Sequence, residues 1–288
     1  MLGCLIASLL VTRGASAEKR VNFRPEWRRA ATWEYVATGL LLGTALTLRF
    51  TNTQTSVNWR GGVGFDDAVL DRVAIQNLDD RAAMSLASNI VFGGSIAYRV
   101  VDSTILPLLV YGDPELALQL SITDAEALST TGFVVFGSQA FVVRERPFIT
   151  RGRCDDPETR ERVGSCDPGS SARNRSFLAG HVATVMTATG LTCVHHSKLP
   201  LYGGGVADVI PCVAMFGATA FTVYSRAALE SHYPSDILLG LALGAAAGWA
   251  IPLGLRYGFG GSPAAEIDVS VVPWFGREQS GLTLVGSF

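Results

Sequence analysis

The chain has 288 residues, of which 48% are hydrophobic and 17% charged, and its net charge is −2 at pH 7. Its mean hydropathy is +0.30, which is too apolar for an ordinary soluble domain and too polar for a chain that lies wholly in lipid. The near-neutral balance provides no general basic surface for nucleic acid, so no nucleic-acid partner is expected. The composition therefore predicts one membrane domain with polar loops.

The first 17 residues have the pattern of a possible secretory signal peptide. An apolar run, Leu2–Val11, precedes small residues at positions 15–17 that are typical of a cleavage site. The positively charged start of such signals is absent, so the segment could instead stay uncleaved, or the true start could be another methionine. Residues 18–32 then form a basic segment beside the membrane.

Six apolar stretches predict a helical membrane domain over residues 33–258. A helix needs about 20 mostly apolar residues to cross the hydrocarbon core, and the last three stretches fit that length best. The stretches are 33–48, 82–98 with a continuation to 110, 116–143, 177–195, 205–224 and 237–255.

Charged residues interrupt the second and third stretches. Arg99 and Asp102 lie within the second, so this helix should turn a polar face towards protein or lie partly outside the lipid. Asp124 and Glu126 lie within the third, where we expect a helix end that projects from the membrane.

Histidines lie at both ends of the fourth stretch. His181 follows Gly180, whose missing side chain would let backbone N–H groups approach an anion at a helix N-terminus. His195 and His196 lie at the other end and are expected at the membrane interface.

The C-terminal residues, 259–288, have a different pattern. Hydrophobic residues alternate over 266–272, a turn-rich segment follows, and residues 282–285 again favour a strand. This pattern predicts a short β-hairpin after the helical domain.

Three polar segments carry the chemistry. The last has Ser225 and Arg226, five residues, His232, three residues and Asp236. A histidine placed four residues before an aspartate can have one ring nitrogen held by the carboxylate while the other reacts. Upstream, residues 144–147 read Arg-Glu-Arg-Pro and residues 176–181 read Ser-Phe-Leu-Ala-Gly-His.

In order and spacing, these segments resemble the three signatures of the type 2 phosphatidic acid phosphatase and vanadium haloperoxidase superfamily, and the resemblance covers roughly residues 33–257. It implies an all-α fold, a six-helix membrane bundle of that kind, to which the predicted hairpin is appended. It also implies a phosphatase that hydrolyses a lipid phosphate or diphosphate monoester at a membrane, without a metal or other cofactor.

The resemblance assigns a role to each site residue. His232 would attack phosphorus and form a phosphohistidine, and Asp236 would accept a hydrogen bond from its Nδ1. His181 would protonate the leaving group and then activate water. The phosphate would be bound by Arg226, Arg146, Gly180 and Gln139.

Two positions depart from the family pattern. Gln139 stands where the first signature has a lysine, and Ala179 stands where the second has a serine. Gln139 and Arg146 would share one helix face if the third helix reached Pro147. Arg144 lies off that face and would replace the lysine only if the helix ended before it.

These departures keep alternative functions open. One is an impaired relative that binds phospholipid headgroups or a protein partner. A vanadate-dependent haloperoxidase is disfavoured, because vanadate should need the same missing contacts. A transporter would fit the hydropathy but leave the three segments unexplained. Among lipid substrates, phosphatidate, phosphatidylglycerol phosphate and polyprenyl diphosphate are not distinguished.

The cysteines and the basic segment bear on location. Cys154 and Cys166 lie in a polar loop with turn-forming residues, so a disulfide is expected in an oxidising compartment. Cys193 and Cys212 lie in apolar stretches and are expected to be small buried hydrophobes. With six spans, the basic N-terminal segment would face the cytoplasm and the site the periplasm of a bacterial inner membrane. A cleaved signal would place residue 18 in the periplasm and reverse the orientation of six spans. Either the signal is uncleaved or the first apolar stretch does not span the membrane.

Overall fold

The computed structural model describes residues 21–53, 55–259, 268–275 and 280–287. The possible signal peptide and the first part of the basic segment lie outside this set. Within it the domain is helical, as predicted. The α-helices are α1 (Thr32–Thr51), α2 (Asp66–Val73), α3 (Leu78–Val100), α4 (Leu106–Leu109), α5 (Pro114–Val142), α6 (Pro147–Thr150), α7 (Pro157–Arg162), α8 (Gly180–Lys198), α9 (Val206–Ala228) and α10 (Pro234–Ala245).

Two of the described helices are long and apolar enough to cross a membrane. They are α9 and the continuous helix Pro234–Tyr257, which extends α10 through two π-helical turns, Ala246–Ala250 and Leu253–Tyr257. The other four predicted spans coincide with α1, α3, α5 and α8 but remain predictions as spans.

The third predicted helix ends before Pro147, so Gln139 and Arg146 do not share one helix face. α5 begins after Asp113, whose side chain accepts a hydrogen bond from the Leu116 backbone N–H, and it ends at Val142. Val143 has a φ of 47° and terminates the helix in the left-handed region. Arg146 has extended backbone angles, φ −72° and ψ 148°, because the following proline disfavours the helical region.

A row of glycines lets α10 and its continuation pack directly on α8. A Cβ on Gly240 would lie 2.9 Å from the carbonyl oxygen of Ala179, and one on Gly244 would collide with the carbonyl oxygen of Ala183. A Cβ on Gly248 would lie 2.6 Å from the carbonyl oxygen of Thr187. Small residues repeated every four positions are typical of close helix contacts in membranes. This contact fixes the start of α8 beside the start of α10.

Asp124 and Glu126 do not lie at a projecting helix end. Both are buried inside α5. Arg99 donates from Nε to Asp124 Oδ2 at 3.0 Å, and Arg256 donates from Nη2 to both Glu126 oxygens at 2.7 and 2.8 Å. Each carboxylate is retained inside the bundle because a guanidinium from another helix pairs with it. Our prediction of a projecting end was wrong.

The two histidines at the end of α8 are buried within the protein, and their expected place at the membrane interface stays a prediction. His195 Nε2 lies 3.0 Å from Asp124 Oδ1, and its Nδ1 lies 2.7 Å from the hydroxyl of Tyr257. His196 Nδ1 lies 2.6 Å from Asp208 Oδ1. These polar partners compensate for the loss of water around the rings.

The structure contains two disulfides. Cys154 and Cys166 are bonded, as predicted. Cys193 in α8 and Cys212 in α9 are also bonded, so our prediction of two separate hydrophobic side chains was wrong. The physical reason is the contact between α8 and α9, which brings the two Cα atoms to 4.7 Å.

Two antiparallel strands lie in the C-terminal segment. β1 (Asp268–Phe275) pairs with β2 (Ser280–Ser287), with Asp268 opposite Ser287 and Phe275 opposite Ser280. The predicted turn between them falls outside the described residues.

Candidate active site

The loop between α9 and α10 carries His232, which is only 2% exposed. Its Nδ1 atom lies 2.6 Å from the backbone carbonyl oxygen of Ser176. A carbonyl can only accept a hydrogen bond, so Nδ1 carries the proton. In the neutral ring Nε2 therefore has its lone pair free, which is the form a nucleophile needs.

Asp236 does not contact the imidazole, contrary to the expected hydrogen bond from Nδ1. Its Oδ2 accepts from the Ser176 hydroxyl at 2.6 Å, and its Oδ1 accepts from Arg144 Nη1 at 2.5 Å. Asp236 is the N3 residue of α10 and its Oδ2 also accepts from the Tyr233 backbone N–H, so helix capping directs it towards the helix start. Asp236 thus reaches His232 indirectly, through the residue whose carbonyl oxygen accepts from Nδ1.

Arg144 is fully buried and belongs to the support of the site. Its guanidinium lies 3.9 Å from the ring centroids of both Trp59 and Tyr233. It also donates to Asp66 Oδ2 at 3.1 Å and to Asp236. Although the helix does end before Arg144, this arginine does not replace the absent lysine, since its charge is taken up by two carboxylates.

His181 lies in the first turn of α8, facing α3. Its Nε2 atom lies 3.3 Å from Asn89 Oδ1, and its ring centroid lies 4.3 Å from that of Phe92. The preceding residue, Gly180, has no room for a side chain without movement, because a Cβ there would lie 3.0 Å from Val135 Cγ1. The glycine lets the start of α8 approach α5 closely.

Arg226, in the last turn of α9, is hydrogen-bonded to the same region of α3. Its Nη2 donates to Ser88 Oγ at 2.7 Å and to Asn89 Oδ1 at 3.2 Å. Asn89 therefore contacts both Arg226 and His181. These partners are neutral, so the positive charge of Arg226 is available to an anion.

Arg146 completes the polar part of the site. Its Nε donates to the carbonyl oxygen of Ala172 at 2.7 Å, which orients the guanidinium. Arg146 borders two neighbouring cavities, of about 460 and 560 Å³. Arg226 borders the larger cavity only.

The smaller cavity, which we call the site cavity, brings together most of the residues predicted from sequence. Its lining combines polar residues with an apolar wall from α1, α3 and α5. The predicted site residues in its lining are Gln139, Arg146, Gly180, His181 and His232. Asp236 lies behind His232 and does not line it.

Burial and the surrounding positive charges decide the protonation state of His232. Burial, Arg146, Arg226 and His181 hold the pKa of His232 well below its ordinary value, against the opposing hydrogen bond to Ser176. Burial and the nearby Arg226 and Arg175 lower the pKa of Arg146 to about 10, which leaves it charged at neutral pH. The pocket is thus a positive site with a neutral imidazole.

The two departures from the family pattern have structural roles here. Gln139 donates from Nε2 to the carbonyl oxygen of Leu178 at 3.1 Å and so ties α5 to the segment before α8. Ala179 is fully buried and packs beneath Gly240, at the closest approach of α8 and α10. Neither residue supplies a charge to the cavity.

A salt-bridge cluster attaches the disulfide loop to the loop that carries His232. Glu230 is fully buried and accepts from Arg81 Nη1 at 3.0 Å, Arg151 Nε at 2.9 Å and Arg153 Nε at 2.9 Å. Glu230 has a φ of 51°, a conformation that its three partners maintain. Glu230 lies inside the third polar segment, but nothing in its spacing indicated this role.

Sequence reasoning also missed several residues of the site. No motif pointed to Ser88, Asn89, Arg49 or Arg175, which come from α1, α3 and the segment before α8. Ser176 was part of a quoted segment, but its carbonyl contact is a backbone feature without a sequence signal. Among the residues that the structure describes, no cluster of three or more histidine, cysteine or acidic side chains is placed to hold a metal ion.

Comparison with known proteins identifies one family. Residues 125–258 match the model of the PAP2 superfamily. This segment contains the predicted catalytic residues, whereas α1 and α3 precede it. No curated protein and no solved structure matches the chain.

Proposed function

The chain belongs to the PAP2 superfamily, and from that premise we propose that it hydrolyses a lipid phosphate or diphosphate monoester through a phosphohistidine on His232. Membership supports a phosphatase that acts on phosphate esters. The observation that carries the proposal of a lipid substrate and a phosphohistidine is the site cavity, which is lined by both His181 and His232 together with Arg146.

In the first step, the Nε2 lone pair of His232 attacks phosphorus and the bond from phosphorus to the leaving oxygen breaks. Arg146 in the site cavity neutralises the phosphoryl oxygens, and Arg226 adds its charge from the neighbouring cavity, which Arg146 also borders. His181 gives its proton to the leaving oxygen. The negative charge of the bound phosphate favours the protonated form of His181.

In the second step, water attacks the phosphohistidine. His181, now neutral, takes a proton from the water, and the phosphorus–nitrogen bond breaks to release orthophosphate. His232 recovers its lone pair while its Nδ1 proton stays with the Ser176 carbonyl. The sum is one water consumed, one lipid alcohol or lipid phosphate released, and one orthophosphate released.

The apolar wall of the cavity supports a lipid substrate. It is formed by side chains of α1, α3 and α5, namely Leu42, Leu46, Phe92, Ile96, Leu128, Val135 and Phe136. Large apolar side chains on the outer faces of the bundle, such as Leu40 at 66% and Val213 at 62% exposure, fit a surface that faces lipid tails. We therefore assign the activity to a membrane domain over residues 33–258.

We further propose that the site faces the periplasm of a bacterial inner membrane. The Cys154–Cys166 disulfide lies in the loop between α5 and α8, and disulfides persist in oxidising compartments. Thiol labelling in sealed spheroplasts, after treatment with a membrane-impermeant reductant, should modify both cysteines. Labelling that requires permeabilisation would put the loop on the cytoplasmic side.

The activity is tested by measuring orthophosphate released from a lipid monophosphate and a lipid diphosphate in detergent micelles. The wild type should release phosphate from at least one of them, and His232→Ala should release only the background amount. Equal release by both proteins would refute the proposal. Headgroup binding without turnover in the wild type would favour an impaired, lipid-binding relative instead.

A further inference from the structure

The site cavity has two arginines besides the one assigned to the attacked phosphoryl group. Besides Arg146, it is lined by Arg49 from the last turn of α1 and by Arg175 from the segment before α8. None of its described lining residues is an aspartate or a glutamate. Arg49 is exposed and Arg175 is partly buried, so both positive charges are available to an anion that enters the cavity.

Arg175 is held in place by two hydrogen bonds. Its Nη2 donates to the backbone oxygen of Asn52 at 2.6 Å and to Ser171 Oγ at 2.9 Å. Its Nε is shielded from solvent and has no hydrogen-bond partner among the described residues. Because Arg175 lines the cavity, its positive charge acts on an anion bound there.

Arg49 is near Arg175 and is also without an acidic partner. Burial and the charge of Arg49 together lower the pKa of Arg175, so the two guanidinium groups repel each other. In the described part of the chain, no carboxylate forms an ion pair with either residue, although exposed arginines elsewhere, such as Arg162, have such partners. The two side chains thus form a second cationic group beside the one formed by Arg146 and Arg226.

We propose that Arg49 and Arg175 form a second anion subsite that binds the phosphoryl group adjacent to the one attacked by His232. The substrate class is then a lipid diphosphate, and the inference rests on the proposed function. A lipid monophosphate would satisfy Arg146 and Arg226 but leave Arg49 and Arg175 uncompensated.

The subsite has a consequence for the reaction. His232 attacks the terminal phosphorus, the bond to the bridging oxygen breaks, and the leaving group is a lipid monophosphate whose charge Arg49 and Arg175 stabilise. Water then releases orthophosphate from His232, so lipid diphosphate and water give lipid monophosphate and orthophosphate. A phosphate leaves with less need of a proton than an alkoxide does, so His181 should matter less for the diphosphate than for the monophosphate.

The test compares farnesyl diphosphate with farnesyl monophosphate. We expect Arg49→Gln and Arg175→Gln to lower the kcat/KM ratio of diphosphate to monophosphate by roughly tenfold or more, the effect of losing one hydrogen bond to a charged group. Arg49→Lys, which keeps the charge, should restore part of the ratio. Arg72→Gln, an exposed arginine outside the cavity, is the matched control and should leave the ratio unchanged.

The outcomes separate this inference from the proposed function. Equal losses on both substrates in the two glutamine variants, or no loss on either, would overturn the second subsite while turnover that depends on His232 continues. A third substrate, phosphatidylglycerol phosphate, carries two phosphates separated by glycerol. If its turnover depended on Arg49 and Arg175 while that of the diphosphate did not, the assignment to adjacent phosphates would be overturned. Turnover independent of His232 would instead defeat the proposed function.

Discussion

The Nδ1 atom of His232 lies 2.6 Å from the backbone carbonyl oxygen of Ser176. This contact fixes the tautomer and leaves Nε2 as the reactive nitrogen. The Ser176 hydroxyl in turn donates to Asp236 at 2.6 Å, so the carboxylate positions the nucleophile through Ser176. Asp236 is therefore a positioning residue.

Substitution of Asp236 tests this indirect role. Asp236→Asn keeps the size of the side chain but weakens its hydrogen bonds to Ser176 and Arg144, so we expect kcat to fall by roughly tenfold to a hundredfold with a smaller change in KM. Ser176→Ala keeps the carbonyl and removes only the hydroxyl, so its kcat should fall less. Steady-state kinetics of both variants give the comparison. A larger loss in Ser176→Ala than in Asp236→Asn would contradict the order of the contacts.

Arg144 is predicted to stabilise the fold without binding phosphate. It is buried against Asp66 and Asp236, and removing one partner of a buried ion pair costs about 3 to 5 kcal/mol. Arg144→Gln should therefore lower the midpoint of thermal unfolding sharply, whereas Arg72→Gln on the surface should change stability by less than about 0.5 kcal/mol. A stable Arg144→Gln protein with a raised KM alone would indicate a direct substrate contact.

The glycine row between α8 and α10 gives a second stability test. A Cβ on Gly244 would collide with the carbonyl oxygen of Ala183, so Gly244→Ala should separate the helices and destabilise the protein by about 1 to 3 kcal/mol. Gly94 in α3 is the control, because no other atom lies within 4 Å of the position that an added Cβ would take there. Gly94→Ala should be neutral or stabilising by up to about 1 kcal/mol. Equal thermal midpoints for the two variants would argue against close packing at Gly244.

The pH dependence follows from the lowered pKa of His232. A histidine is nucleophilic when neutral, and its ordinary pKa is about 6.5. Because burial and Arg146 lower the pKa of His232, its neutral form should persist as pH falls through 6.5. Protonation of His232 should therefore not lower kcat/KM in that pH range. Arg146→Gln removes one positive charge, so it should raise the pKa of His232 and move any acidic limb of kcat/KM to higher pH.

The lowered pKa of His232 should also make the folded protein less stable at acidic pH. Below about pH 6.5 the unfolded chain protonates this histidine before the folded protein does, so the free energy of unfolding should fall with decreasing pH by up to about 1.4 kcal/mol per unit. His232→Gln should remove this contribution. An identical pH dependence of unfolding in wild type and His232→Gln would contradict a lowered pKa.

Much of the site could be predicted because its motifs have fixed local spacing. His232, His181 and Arg146 each lie at a helix end, and the alternation of helices brings those ends together in one cavity. Asp236 was placed correctly beside the site, but its partner was not predicted, because a backbone carbonyl has no sequence signature. The presence of Arg49 and Arg175 in the site cavity was not predicted either, because it depends on the packing of segments that are far apart in the chain.

The buried charges account for most of the errors in the fold. Polarity alone put Asp124 and Glu126 at a projecting helix end, since an unpaired charge in the bundle would be costly. The structure pairs Asp124 with both Arg99 and His195, residues far apart in the chain. Such pairing is set by the tertiary structure, and no local pattern reports it.

The most direct test of the central claim is to trap the covalent intermediate. Wild-type protein mixed with a lipid diphosphate labelled at the terminal phosphate and quenched in alkali should carry label on the peptide containing His232. The label should be lost in acid, as expected for a phosphohistidine, and absent from His232→Ala. Phosphate release that proceeds without any label on His232, or label found on His181 instead, would contradict the mechanism.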